Sequence, residues 1–148
     1  MSLTGGCQCG AIRFSVEEDG LGRASICHCR MCQKAFGSFF GPLVSALGLH
    51  WTRGAPKYFR SSNHARRGFC PDCGTPLTFE PDGDVVEVAI GAFDAPSAIR
   101  PVIQHDVAAR LPWFSELAGL PVRDAAEAAL AEGHYASIVS LQHPDHET

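Results

Sequence analysis

The stretch Cys27-His28-Cys29-Arg30-Met31-Cys32 decides how the rest of the chain is read. Three thiols within six residues form a ligand cluster, because packing alone gives no reason to place them so close. On a strand, Cys27 and Cys29 point to the same face, since side chains alternate with a period of two. A turn then brings Cys32 back to complete one face of a metal site. His28 points the other way, which makes it a poor fourth ligand. Three protein ligands leave a tetrahedral metal one open position, the arrangement of catalytic rather than structural zinc.

The other cysteines extend the pattern. Cys7 and Cys9 stand in Gly5-Gly6-Cys7-Gln8-Cys9-Gly10, and Cys70 and Cys73 in Phe69-Cys70-Pro71-Asp72-Cys73-Gly74. Seven is an odd number for a disulfide framework, and the grouping as C-x-C, C-x-C-x-x-C and C-x-x-C favours metal. The seven divide as four plus three, with Cys7, Cys9, Cys70 and Cys73 in one set and Cys27, Cys29 and Cys32 in the other. The first set joins two knuckles roughly sixty residues apart and contributes folding free energy directly, because the unfolded chain cannot present those ligands together. Spacing alone leaves alternatives open. One pairs Cys70 with the 27/29/32 set, and iron–sulfur is a rival metal. His28, His64 or His105 is an available fourth ligand that would close the second site.

Composition bounds the rest. The 148 residues suit one domain with a real core, and 45% hydrophobic with 19% charged content is that of a soluble globular protein. A net charge of −4 gives no support for nucleic-acid binding. The amino terminus carries no basic, then apolar, secretory signal. The most apolar run, Phe36 to Leu49, is interrupted by glycine and proline and too short to span a bilayer. These features predict a cytoplasmic protein with no membrane partner.

Along the chain, Ala11 to Glu18 alternates as a half-buried strand, with Ile12, Phe14 and Val16 facing in and Arg13, Ser15 and Glu17 facing out. Arg23 to Ile26 leads a second strand into the three-thiol cluster. Residues 39 to 51 suggest short strands with a bend at Gly41-Pro42, and Lys57 to Arg60 another strand. Ser61 to Arg67 reads as a polar, basic loop. Leu77 to Glu80 and Val85 to Ile90 read as strands joined through Asp82-Gly83, a hairpin signal. Asp124 and Glu127 resemble a capping box that opens an alanine-rich helix ending near Gly133. Gln142 to Thr148 is polar and expected to fray. The pattern predicts one mainly β domain over 1–148, with a core at about 3–115 and a short helical tail at about 123–140.

The three cysteine motifs, in this order and spacing, resemble the glutathione-dependent formaldehyde-activating enzyme family, which also includes centromere protein V. The likeness runs through Gly91-Ala92-Phe93-Asp94 and His105 to about Trp113. It implies a β-tent-like arrangement of antiparallel sheets stapled by zinc. It implies two Zn2+ per chain, a structural one on Cys7, Cys9, Cys70 and Cys73 and a catalytic one on Cys27, Cys29 and Cys32. The implied activity is that of a carbon–sulfur lyase similar to S-(hydroxymethyl)glutathione synthase, with a small thiol such as glutathione as partner and formaldehyde as co-substrate. A non-catalytic, zinc-stabilised binding module is the alternative.

The chemistry is consistent with that expectation. Three thiolates on a divalent zinc leave the site at about −1, which favours delivery of a soft sulfur nucleophile over activation of water. Arg30, Lys34, Arg60, Arg66 and Arg67, with His64, cluster near the ligands in sequence and are candidates to seat an anionic substrate. Ordinary core packing is the reading for Trp113, and core or pocket wall for Phe36, Phe39 and Phe40.

Overall fold

The computed structural model describes residues 1–148 and divides into two compact units, Met1–Arg110 with Gln142–Thr148, and Leu111–Leu141. In the first unit the strands are β1 (Ser2–Gly6), β2 (Arg13–Glu17), β3 (Leu21–Cys27), β4 (Gly41–Ala46), β5 (His50–Arg53) and β6 (Lys57–Ser62). They continue as β7 (Ala65–Phe69), β8 (Pro76–Pro81), β9 (Glu87–Ala89) and β10 (Ile103–His105), and one helix, α1 (Arg30–Phe36), follows β3. A three-stranded sheet runs β1-β2-β5 and a seven-stranded sheet runs β10-β3-β4-β9-β8-β7-β6. Every pairing is antiparallel except that of β10 with β3. The fold is mainly β, with open sheets and no barrel.

Alternation through β2 and the residue before it buries Ile12, Phe14 and Val16 as expected. Phe14 is fully buried and meets Trp51 and Phe93 edge to face, at ring-centroid distances of 5.9 and 5.1 Å. Leu77, Val44 and Val88 of the larger sheet join the same apolar cluster, so one core serves both sheets. A phenylalanine buried in this way stabilises by roughly 2–3 kcal/mol.

Arg13 departs from the simple alternation. The period of two puts it on the solvent face, yet only 1% of it is exposed. Its guanidinium grips Asp94 with both ends, Nη1 to Oδ1 at 2.9 Å and Nη2 to Oδ2 at 2.5 Å, and Thr4 Oγ1 donates to the same carboxylate. A buried arginine requires such a partner, because an unpaired charge in this position costs several kcal/mol.

Three local expectations are corrected. Ser61–Arg67 is not a loop. It closes a hairpin between β6 and β7 whose polar side chains point to both faces. Gly41-Pro42 makes no bend but opens β4, paired with Cys27 and Ile26 of β3. Gln142–Thr148 does not fray but returns to the first unit, where His143 N donates to Gln8 O at 2.8 Å and Arg53 Nη2 to Thr148 O at 2.6 Å. Hydrogen bonds to its main chain hold this peptide, so no side-chain period announces it.

The second unit contains a 3-10 segment, Phe114–Gly119, and helix α2, Ala125–Ala136. The capping box is present, with Glu127 N donating to Asp124 Oδ1 at 2.8 Å and Asp124 N to Glu127 Oε2 at 3.3 Å. The helix passes through Gly133 and ends at Ala136, a continuation that costs about 1 kcal/mol relative to alanine. Trp113, expected as core, is 38% exposed. No helix in either unit is long and apolar enough to cross a membrane.

Candidate functional site

The four-thiol set is built by two matching knuckles. After β1 the chain turns so that Cys7 N donates to Ile12 O and Gly10 N to Cys7 O, both at 3.0 Å. After β7, Cys70 N donates to Thr75 O at 3.0 Å and Gly74 N to Cys70 O at 2.9 Å. Gly74 has φ of +79°, a conformation side-chain-bearing residues rarely adopt. Gln8 N bonds Thr75 Oγ1 at 2.9 Å and ties one knuckle to the other.

The sulfurs of Cys7, Cys9, Cys70 and Cys73 all lie within 4.8 Å of one another. Cys7 and Cys9 are 3.6 Å apart, and Cys9 and Cys70 3.8 Å. A tetrahedral zinc with bonds of about 2.3 Å sets its sulfurs about 3.8 Å apart, so the donor set fits that ion. None of the seven cysteines is in a disulfide. Burial raises the Cys70 thiol to about 12. Burial also opposes ionisation of Cys73, but the hydroxyl and N–H of Thr75 and the backbone of Cys9 bring it down to about 6. The cluster thus offers a thiolate to a cation and gives up its remaining protons when one binds.

The three-thiol set is assembled differently from the expected strand and turn. Cys27 ends β3, Cys29 caps the amino terminus of α1, and Cys32 lies in its first turn. Cys32 N donates to Cys29 Sγ at 3.3 Å, a cap in which sulfur replaces the usual oxygen. The helix packs on β4 at Gly41, where an added Cβ would stand 2.9 Å from Cys32 Cβ and from the Phe36 ring. Buried Gln33 fastens α1 from below, donating to His28 O at 2.8 Å and Ala109 O at 3.1 Å.

These three sulfurs also lie within 4.8 Å of one another, with no histidine or carboxylate completing the set. His28 is fully buried and its Nε2 meets Gln104 Oε1 at 2.8 Å. His64 pairs with Asp82, and His105 uses its carbonyl to accept from His28 N. Two groups outside the cluster touch its sulfurs. Cys27 donates to Asp106 Oδ2 at 3.2 Å, and Arg67 Nη2 donates to Cys32 Sγ at 3.4 Å. Arg67 is one of the basic candidates, but nothing in its sequence neighbourhood marks it as a partner of sulfur. Asp106 escapes the sequence reading entirely; its signal is backbone, as the one non-glycine residue with positive φ, at 54°. Burial raises Cys27 and Cys32. It also opposes ionisation of Cys29, yet the backbone N–H of Cys32, the neighbouring thiols and the N–H of Met31 bring that thiol below its ordinary value.

The basic residues that adjoin in sequence are separated by the pleat of β6 and β7. Arg66 points to one face, where it bonds Glu80 at 2.9 Å and stacks over Tyr58 at 3.9 Å. Arg60 is turned to Asn63 O. Arg67 points to the opposite face beside Phe59, its cross-strand partner, and lies over the Phe79 ring at 4.8 Å. Arg67, Arg30 and Lys34 line a cavity of about 420 Å3 against the three-thiol helix.

A family model, that of the glutathione-dependent formaldehyde-activating enzymes, matches residues 2–108, which is 107 of the 148. The chain belongs to this family. All seven cysteines, Asp106 and the arginines of the cavity lie in the matched stretch, whereas the second unit and the returning carboxyl-terminal peptide lie beyond it. The chain is therefore a member of an enzyme family and carries two thiol clusters able to hold metal ions.

Proposed function

We propose that this protein is a zinc-dependent enzyme of the carbon–sulfur lyase type that interconverts glutathione plus formaldehyde with S-(hydroxymethyl)glutathione. The observation that carries the reading is a cluster of only three thiols, Cys27, Cys29 and Cys32, lying beside a cavity lined by three cations. In this reading Cys7, Cys9, Cys70 and Cys73 hold a structural zinc and the other three a catalytic one. Zinc on three thiolates supplies a fourth position for a substrate sulfur and lowers the pKa of the thiol that takes it.

The chain's own residues shape the rest. Arg67 places a buried positive charge against Cys32 Sγ and can donate to it as a thiolate, whereas the Cys27 thiol donates to Asp106 Oδ2 only while protonated and gives that bond up when its sulfur takes a metal. Arg30 and Lys34 flank the cavity and attract a substrate carboxylate. In the forward direction a carbon–sulfur bond forms, the carbonyl becomes a C–O single bond, and the thiol proton ends on that oxygen.

Uncatalysed thiol addition to formaldehyde is fast, so the test follows exchange between free formaldehyde and its glutathione adduct at equilibrium by NMR. Wild type should accelerate exchange over buffer, and Cys29→Ser should not. Exchange at the buffer rate, with no heat of glutathione binding by calorimetry, would remove this reading.

A further inference from the structure

The four cysteines that gather from the two knuckles are not equally enclosed. Cys7 and Cys70 are buried and Cys73 is half-buried, whereas Cys9 is exposed. The surroundings of a metal site control what reaches it from solution, and a competing donor replaces the most accessible sulfur first. Cys9 is therefore the point at which this cluster opens.

The residues on either side of Cys9 are held by the carboxyl-terminal peptide. His143 N donates to Gln8 O at 2.8 Å, and the His143 ring lies so close to Gly10 that an added Cβ would collide with it. Arg53 ties the knuckle to the far end of the peptide, with Nη1 donating to Gly10 O at 3.0 Å and Nη2 to Thr148 O at 2.6 Å. His143 Nε2 meets Thr148 Oγ1 at 3.0 Å, so the peptide closes on itself beside the knuckle. It also bounds a cavity of about 410 Å3 whose wall includes Cys7 and Cys73.

This closure is lightly held. Ordering a peptide costs entropy at every residue, and Gln142-His143-Pro144-Asp145-His146-Glu147-Thr148 has no large apolar side chain to bury in return. Hydrogen bonds to its main chain, with the Arg13 contacts to His146 O and Glu147, keep it in place. Segments with few buried apolar groups open locally while the rest of a domain stays folded.

We propose that Gln142–Thr148 is a latch that holds Cys9 in the four-thiol cluster and sets how fast that cluster exchanges its metal. With the peptide docked, Gln8 O and Gly10 O are fixed and the Cys9 sulfur stays aimed at the other three. With the peptide released, the Gln8-Cys9-Gly10 turn loses His143, and Arg53 loses the carbonyl that braces it. The Cys9 thiolate then leaves, and a thiol or chelator from solution takes its position with no change of oxidation state. The latch rests on the reading of a zinc at Cys7, Cys9, Cys70 and Cys73, and not on the lyase reaction.

The test follows zinc release from loaded full-length protein to an excess of chromogenic chelator. Cys29→Ser, which breaks the three-thiol cluster, assigns the remaining release phase to the four-thiol cluster. Removal of Gln142–Thr148 should accelerate that phase about 10–100-fold and leave the other unchanged, the usual cost of losing groups that support metal ligands. His143→Pro, which removes the N–H to Gln8 O in a full-length chain, should accelerate it roughly threefold to tenfold, and decides alone if the shortened chain does not fold. Unchanged release overturns the latch, as does equal acceleration of both phases, which marks a general loosening of the fold. Cys29→Ser protein that carries no zinc overturns the zinc reading of the four-thiol cluster and the latch with it, whereas one zinc with unaltered release overturns the latch alone.

Discussion

Arg67 Nη2 stands 3.4 Å from Cys32 Sγ and donates to it from a guanidinium that is 8% exposed. A cation in this position offsets the charge that three thiolates gather on one ion and fixes the direction of a sulfur lone pair. Arg67→Gln should weaken zinc at the three-thiol cluster by about 10–100-fold and leave the four-thiol cluster filled. Timed zinc release to a chromogenic chelator resolves the two sites. Release kinetics identical to wild type would show that the contact does not support the metal.

The two clusters should respond differently to the loss of one sulfur. Metal analysis of protein purified without chelator should give about two zinc ions per chain. Cys70→Ser removes a sulfur from the four-thiol cluster, which bridges knuckles 61 residues apart between Cys9 and Cys70, and thermal unfolding should show a severely destabilised or unfolded chain. Cys29→Ser should fold, hold about one zinc and lose exchange activity. Equal loss of stability in both variants would make both sites structural.

Gly41 should behave as a gauge of helix placement. With a Cβ 2.9 Å from Cys32 Cβ, Gly41→Ala pushes α1 off β4 and spoils the convergence of the three sulfurs. Zinc content should drop from about two to about one while the far-ultraviolet circular dichroism remains that of a folded β protein. Retention of both ions would mean that α1 shifts without cost to the cluster.

The Arg13–Asp94 pair should contribute to the acid sensitivity of the fold. Burial raises the Asp94 carboxyl, but the Arg13 guanidinium and Thr4 hydroxyl outweigh it and hold the group below its ordinary value. A depressed folded-state pKa contributes stability that is complete above the unfolded carboxylate value of about 3.9 and is lost as pH falls through the folded one. Asp94→Ala should cost about 3 kcal/mol near neutrality, because it leaves a buried guanidinium with Glu147, half exposed, as its remaining carboxylate. The gap in unfolding midpoint between wild type and Asp94→Ala should then narrow below about pH 4. A gap independent of pH would exclude ion pairing as its cause.

The two knuckles are readable in the sequence because a ligand pair flanked by glycine is a local device, complete within six residues. Helix α1 is not. Its cap is Cys29, whose sulfur serves as a hydrogen-bond acceptor as well as a candidate ligand, and its seven residues are too few for a period to register. Arg66 and Arg67 form one basic patch in sequence, and the pleat of β7 sends them to opposite faces. Nothing local marks Arg13 as buried, since Asp94 lies 81 residues further along. Position in the chain predicts a neighbour only when turn chemistry or periodicity closes the distance.

The returning peptide Gln142–Thr148 changes what counts as the minimal protein. The family match ends at residue 108, and a chain trimmed to that boundary looks complete by sequence. It would nevertheless deprive Arg53 of the Thr148 carbonyl and Arg13 of the Glu147 carboxylate. In sequence, the second unit, Leu111–Leu141, falls between two segments of the first. Shortening the second unit while keeping Gln142–Thr148 is the sounder way to reduce this protein than cutting at its carboxyl end.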